Sequence, residues 1–158
     1  IGSFKSAGYG LSLSYIRTDL SSKLGFSFIG KTYSYSNSTV EPDMVFNPEV
    51  VANFIYSVPF FDLKFALFYK YTGRQTGFNL VNDTEYEEYS IEDYHIMDIN
   101  LSRDLFDDYI NLSIGIKNLF DVVNINRSGV TGGVHSEGAL TPVSYGRIVT
   151  AGIRFNLK

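Results

Sequence analysis

The polar side chains best suited to specific chemistry lie in a glycine-rich segment, residues 122–145. Arg127 and the run His135, Ser136 and Glu137 occur there among several glycines and asparagines. Such side chains donate and accept hydrogen bonds, and glycines allow a segment to move, so the pattern suits a lid that binds a polar ligand. An ordinary surface loop is the alternative. We name these four residues as ligand-binding candidates.

A second candidate segment, residues 73–92, is acidic and aromatic. The carboxylates in it and just after it are Asp83, Glu85, Glu87, Glu88, Glu92 and Asp93. Such a cluster could bind calcium or attract a cationic ligand, but its spacing does not match an EF-hand, and a solvated loop is the alternative. Tyr86 and Tyr89 lie within it and are candidates for stacking on a sugar or macrocycle. Tyrosines at a membrane boundary are the competing interpretation.

The histidines limit the catalysis that the chain could perform. Only His95 and His135 are available as imidazole bases. His95 falls on the same side of an alternating run as the apolar Met97. His135 adjoins Ser136 and Glu137 in a glycine-rich segment, but adjacency in sequence does not build a catalytic triad. One isolated histidine is also weak ground for binding haem or a metal. We therefore expect no enzyme, no metal site and no cofactor.

Composition determines which kind of element must hold these residues. The 158 residues are 44% hydrophobic, but the most apolar stretch, residues 53–71, is interrupted by Pro59, Asp62, Lys64 and Lys70. A transmembrane helix needs about twenty predominantly apolar residues in a row, so any membrane span must be a strand. Spanning strands must close into a barrel, because every backbone group needs a partner in lipid.

The net charge of −4 supplies no basic patch, and we expect no nucleic-acid partner. Without cysteine there is neither a disulfide nor a thiolate metal site.

Apolar and polar residues alternate in seven runs, as they do in strands with two unlike faces. In the last run Val149, Ala151, Ile153 and Phe155 alternate with residues that include the charged Arg154. The predicted strands lie near residues 6–15, 24–31, 50–58, 63–72, 95–101, 110–117 and 147–157. The sequence therefore predicts an all-β protein of about seven antiparallel strands.

The connections between these strands alternate in length. Short turns are predicted at residues 17–22, 59–62 and 103–108, and long connections at 34–48, 73–92 and 119–146. Outer-membrane barrels have short periplasmic turns and long extracellular loops, so the alternation favours a transmembrane antiparallel β-barrel. It also sets the last residue in the periplasm and the first at the cell surface, and we expect further strands before residue 1.

Two motifs and the last strand resemble the TonB-dependent outer-membrane receptors. The run from Asn118 to Asp121, Asn-Leu-Phe-Asp, is similar to the motif of the family's penultimate strand. Residues 144–147, Ser-Tyr-Gly-Arg, are similar to the family's closing segment. Four residues of the last run resemble the signal recognised during outer-membrane assembly: Thr150, Gly152, Phe155 and Leu157.

The resemblance implies a barrel of about 22 strands, filled by an N-terminal plug that engages TonB, with residues 1–158 as the C-terminal part of the wall. It implies energised uptake of a siderophore, haem, cobalamin, glycan or peptide across the outer membrane of a Gram-negative bacterium. Partners would be outer-membrane lipid, the rest of the barrel and plug, TonB through the plug, and a surface lipoprotein. Basic side chains facing the lumen would pair with the plug or guide an anionic substrate: Lys31, Lys64, Lys70, Lys117 and Arg154.

Two other classes of protein remain open. An outer-membrane barrel enzyme, a protease or lipid hydrolase, would use Ser, His and carboxylate side chains at the barrel rim. A soluble β-sandwich adhesin would also show alternating strands. The strand lengths, the small and lysine-bearing second faces and the regular connections favour the barrel over the sandwich.

Overall fold

The computed structural model describes residues 3–34, 43–82, 85–129 and 139–157, and nearly all of them lie in antiparallel strands. Seven strands form the main sheet. From one edge to the other they are β1 Ser3–Ile16, β2 Leu20–Ser34, β3 Val45–Val58, β4 Leu63–Thr72, β7 Tyr94–Leu105, β8 Ile110–Lys117 and β11 Ile148–Phe155. Four strands form a second sheet, in the order β10 Ala139–Pro142, β9 Asn124–Ser128, β6 Glu85–Ile91 and β5 Gln75–Asn82. A 3-10 turn, Pro59–Phe61, joins β3 to β4.

The seven strands predicted from alternation are the seven strands of the main sheet, so that part of the prediction is confirmed. The interpretation of residues 73–92 and 119–146 as loops was wrong, because they contain β5, β6, β9 and β10. These strands are short, and β6 is rich in glutamate, which has low strand propensity. β5 pairs with its neighbour β6, β9 pairs with β10 and β6, and none of the four strands has a long run of alternating apolar and polar residues.

The register of the main sheet places all seven predicted apolar faces on the same side. Leu11 pairs with Phe26 and Phe26 with Val50, while Ile99 pairs with Ile116 and Ile116 with Val149. We call this side the apolar face. It consists of the odd-numbered residues of β1, β4, β7 and β11 and the even-numbered residues of β2, β3 and β8.

The opposite side, the polar face, carries small and polar residues, with apolar exceptions such as Ile55 and Phe68. On it Lys70 forms an ion pair with Glu49 of the neighbouring strand. The five basic residues predicted to face the lumen all have the parity of this face. Opposite faces of one sheet therefore offer two chemically different surfaces.

Neither face of the main sheet is packed into a core. Among the described residues Ile125 is the buried hydrophobic side chain, at 6% exposure, and large apolar side chains such as Tyr9, Leu11 and Ile153 are more than half exposed. The chain exposes 11186 Å², whereas a compact monomer of 17.8 kDa exposes about 8000 Å². The sheet is open, since its edge strands β1 and β11 do not pair.

Short and long connections leave opposite ends of the main sheet. At one end the connections are residues 17–19, 59–62 and 106–109; at the other they are residues 35–44, 73–93 and 118–147. The predicted alternation of connection lengths is therefore present, and the second sheet grows from two of the long connections. No helix in the described residues is long and apolar enough to cross a bilayer.

Candidate functional site

Residues 118–122, which we call the Asn118 turn, lead the chain out of the main sheet after β8. The backbone N–H of Asn118 donates to Oδ1 of Asp98 at 2.8 Å, and that of Leu119 donates to the carbonyl of Met97 at 2.7 Å. The Asn118 side chain donates to the carbonyl of Val122 at 2.9 Å and accepts from its N–H at 3.1 Å. Asn118 is only 3% exposed and has a φ of +50°. Asparagine suits this position because it tolerates positive φ and satisfies both backbone groups of Val122.

The second sequence motif is bound directly to this turn. The backbone N–H of Arg147 donates to Oδ1 of Asp121 at 2.7 Å, and Nε of Arg147 donates to the carbonyl of Leu119 at 3.0 Å. Gly146 has a φ of +86°, and a Cβ there would lie 3.1 Å from Oδ1 of Asp121, so glycine fits best. The two motifs, distant in sequence, thus build one hydrogen-bonded junction where the chain leaves β8 and enters β11.

A cavity of about 540 Å³, which we call the junction cavity, lies beside the Asn118 turn. It is lined by Tyr69, Glu92, Asp93, Tyr94, His95, Phe120, Val122, Asn124, Ile125 and Asn126. Its residues come from the end of the main sheet, from the segment between β6 and β7, and from the start of β9. Its volume is within the range of small-molecule sites, about 300–1,000 Å³.

Polar contacts fix the orientation of several groups in this cavity. Nδ2 of Asn126 donates to Oε2 of Glu92 at 2.9 Å, and the backbone N–H of Glu92 donates to the carbonyl of Asn126 at 3.1 Å. The Tyr69 hydroxyl and Nδ1 of His95 form a hydrogen bond of 2.6 Å. The cavity therefore has ordered carboxylate and aromatic groups. The sequence indicates the acidic segment 73–92 and the segment 122–145 as two separate candidates. Nothing in the residues around Glu92 or Asn126 indicates that these two side chains form a hydrogen bond.

Two predicted ligand-binding residues, Tyr89 and Arg127, lie together in the second sheet. Cζ of Arg127 lies 3.8 Å from the centroid of the Tyr89 ring, which is a cation–π contact. The Tyr89 ring covers Gly77 of the neighbouring strand, where a Cβ would lie 2.5 Å from Cζ of Tyr89. The two side chains therefore bind each other across strands, and a contact of either with a ligand stays a prediction.

Gly129→Ala is expected to loosen the second sheet and leave the main sheet intact. Gly129 has a φ of +91°, and its added Cβ would lie 2.4 Å from the backbone carbonyl oxygen of Glu88. Strain and overpacking of this kind cost about 1–3 kcal/mol. Hydrogen exchange should show faster exchange in residues 85–91 and unchanged exchange in β7 and β8. Ser90→Ala, which removes one hydroxyl from an exposed pair, is the matched control and should change little; faster exchange throughout the main sheet would contradict the prediction.

The other predicted site residues fall in several places. His135, Ser136 and Glu137 lie outside the described residues. Tyr86 is in β6, paired with Leu80, and its side chain lies outside the described residues. Of the predicted assembly signal, Thr150 and Gly152 have the parity of the polar face and Phe155 that of the apolar face, while Leu157 follows β11 and is almost fully exposed. Lys31, Lys64, Lys70, Lys117 and Arg154 lie on four strands and form no cluster with the junction cavity.

Within the described ranges no group of three or more His, Cys, Asp or Glu side chains could hold a metal ion. The chain matches no protein-family model, no curated protein and no solved structure.

Proposed function

We propose that this chain is part of the barrel wall of a TonB-dependent outer-membrane receptor, which takes up a scarce nutrient with energy from TonB. The observation that carries the proposal is the continuous apolar face, which extends over all seven strands of the main sheet and remains exposed. An exposed apolar surface of this extent is unfavourable in water and favourable against lipid. β1, β2 and β3 have 14, 15 and 14 residues, and a transmembrane strand needs about 9–11.

Aromatic side chains lie at both ends of the main sheet, as they do at the two interfaces of a membrane barrel. Near the long connections they include Tyr9, Phe28, Phe46, Tyr69 and Tyr71; near the short turns they include Tyr15, Tyr56, Phe60, Phe61, Phe106 and Tyr109. The middle of the apolar face carries aliphatic side chains such as Leu11, Leu67 and Ile114, together with Phe26, Phe54 and Phe65. The apolar face is therefore hydrophobic along the strands, with aromatic side chains at both ends and also between them, which suits contact with lipid.

The polar face suits the inside of such a barrel. Its basic residues, such as Lys117 and Arg154, would pair with carboxylates of a plug domain, because an unpaired buried charge is costly. The ion pair of Lys70 with Glu49 shows that two charges of this face pair between neighbouring strands of the sheet. The Asn118 turn would then fix where the last extracellular loop leaves the wall.

The rival classes have less support. A soluble β-sandwich buries side chains between two sheets, yet the described residues contain no fully buried large side chain. A hydrolase needs a nucleophile beside its base, whereas the described partner of His95 is the Tyr69 hydroxyl, and the rings of Tyr69 and Tyr71 lie against it. We therefore propose a receptor and no catalytic role.

Fractionation of cells that express the protein tests the proposal. We expect the protein in outer membranes, resistant to high-salt and alkaline washing and released only by detergent, because lipid covers the apolar face. A growth comparison with a deletion strain should then show impaired use of one limiting nutrient, with the same defect in cells that lack TonB. Recovery of the protein in the aqueous fraction without detergent would overturn the barrel assignment. Growth impaired by the deletion but independent of TonB would overturn the energised-uptake assignment alone.

A further inference from the structure

The junction cavity combines two carboxylates with an aromatic and aliphatic wall. Glu92 and Asp93 contribute the carboxylates, while Tyr69, Phe120 and Ile125 contribute apolar surface. Phe120 is 49% exposed, so its ring is open to an incoming group. A cavity of about 540 Å³ with few polar groups on an apolar lining is a suitable site for a small organic ligand.

The charged side chains of the cavity determine whether it favours a cationic or an anionic ligand. Among the described residues that line it, His95 is the one with a basic side chain, and Nδ1 of His95 is bound to the Tyr69 hydroxyl. The nearby guanidinium of Arg127 lies over the Tyr89 ring and does not line the cavity. Two carboxylates without a lysine or arginine among the lining residues attract a cation and repel an anion.

The Glu92 carboxylate is held in place by a neighbouring side chain, and Asp93 is the next residue in the chain. Oε2 of Glu92 accepts a hydrogen bond from Asn126, which leaves Oε1 available to a ligand. The carboxylate of Asp93 lies near the Tyr71 hydroxyl. Preorganised acceptors of this kind favour an ammonium group, whose N–H bonds they can receive, over a bare metal ion, for which the described residues supply no cluster of three ligands.

The aromatic rings complete the match to an organic cation. The faces of tyrosine and phenylalanine attract a positive charge and also cover the hydrocarbon next to it. Tyr69 and His95 have the parity of the apolar face, so the cavity lies next to the surface that the proposed function assigns to lipid.

We propose that the junction cavity binds an organic ammonium ion with an apolar body, its nitrogen at Glu92 and Asp93 and its apolar part against Tyr69 and Phe120. The ammonium comes either from a free amine or from the amine of a membrane lipid headgroup. Only the lipid source rests on the proposed function, because the cavity and its charge exist whether or not a bilayer surrounds the main sheet.

Titration calorimetry with the purified protein in an uncharged detergent tests the proposal. Octylamine is the probe, and octanol is the control with the same chain and no charge. We expect octylamine to bind and octanol to bind at least about tenfold more weakly, because hydrogen bonds to charged groups are the stronger ones. Glu92→Gln and Asp93→Asn should each weaken octylamine binding about tenfold and leave octanol binding unchanged. Glu88→Gln, an exposed carboxylate of β6 outside the cavity, should change neither.

Phosphatidylethanolamine and phosphatidylglycerol then distinguish the sources of the amine. Competition with octylamine by phosphatidylethanolamine alone would identify a lipid headgroup, and competition by neither lipid would identify a free amine. Equal binding of octylamine and octanol, or full octylamine binding in both cavity variants, would overturn the proposal. If the protein proves soluble without detergent, the same titration in water still decides on the cavity, while the membrane assignment fails separately.

Discussion

Ile114→Lys is expected to lower several-fold the amount of protein in the outer membrane, where the proposed function places it. Ile114 lies in the middle of β8 on the apolar face, is 55% exposed, and pairs with Leu101 and Ala151. A lysine on the lipid side of a barrel costs about 2–4 kcal/mol at the bilayer midplane. That cost is a large part of a typical stability of about 5–15 kcal/mol, so the amount of assembled protein should fall several-fold. Immunoblotting of washed outer membranes measures the loss.

Ser113→Lys is the matched control for this substitution. Ser113 precedes Ile114 in β8 and has the parity of the polar face, so in the proposed barrel the same charge at almost the same depth would face the polar interior. The control variant should reach the membrane at close to the normal level. Equal recovery of both variants would show that the two faces of the sheet meet the same solvent, and the barrel assignment would then be wrong.

Asn118→Ala is expected to reduce the free energy of unfolding by about 2–4 kcal/mol, since it removes two hydrogen bonds in a buried place and puts alanine at positive φ. The partly buried N–H and carbonyl of Val122 lose their partners. Urea unfolding in detergent, followed by circular dichroism, measures the change. The strand end at residue 117 should also exchange its amide hydrogens faster, because the turn is bound to Asp98 of the neighbouring strand.

Asn118→Gly separates the two causes of this loss. Glycine accepts a φ of +50° without strain but offers no side-chain hydrogen bonds. We expect it to retain about 1 kcal/mol of the stability that alanine loses, since a left-handed conformation costs alanine about 1–2 kcal/mol. If both variants unfolded like the unmodified protein, the Asn118 turn would not contribute to the stability of the sheet.

The strands of the main sheet were predictable because their pattern of apolar and polar residues appears among neighbours in the sequence. Alternation with a period of two along β3 or β8 requires only that one face be apolar, and neighbours in the sequence report it directly. The long and short connections were visible for the same reason, as gaps between alternating runs.

The pairing of β6 with β9 and the junction cavity were not predictable, because they depend on contacts between residues distant in the sequence. β6 pairs with β9 at Ser90 and Ser128, and the Glu92 side chain accepts a hydrogen bond from Asn126. Neither segment has a sequence pattern that indicates its partner. The run around Asn118 was noticed as a motif. Its physical role, as a turn hydrogen-bonded to Asp98 and Arg147, depends on residues that lie far from it in the sequence.

The shared parity of the main sheet also restricts how such a chain can change its length during evolution. Adding one residue inside β3 would exchange the two faces for the rest of that strand, unless a bulge absorbed it, and would set Phe54 or Tyr56 among polar neighbours. Adding several residues between β2 and β3 changes no pairing at all. Insertions and deletions should therefore accumulate in the long connections. The number of residues in each strand of the main sheet should stay constant even where its side chains have diverged widely.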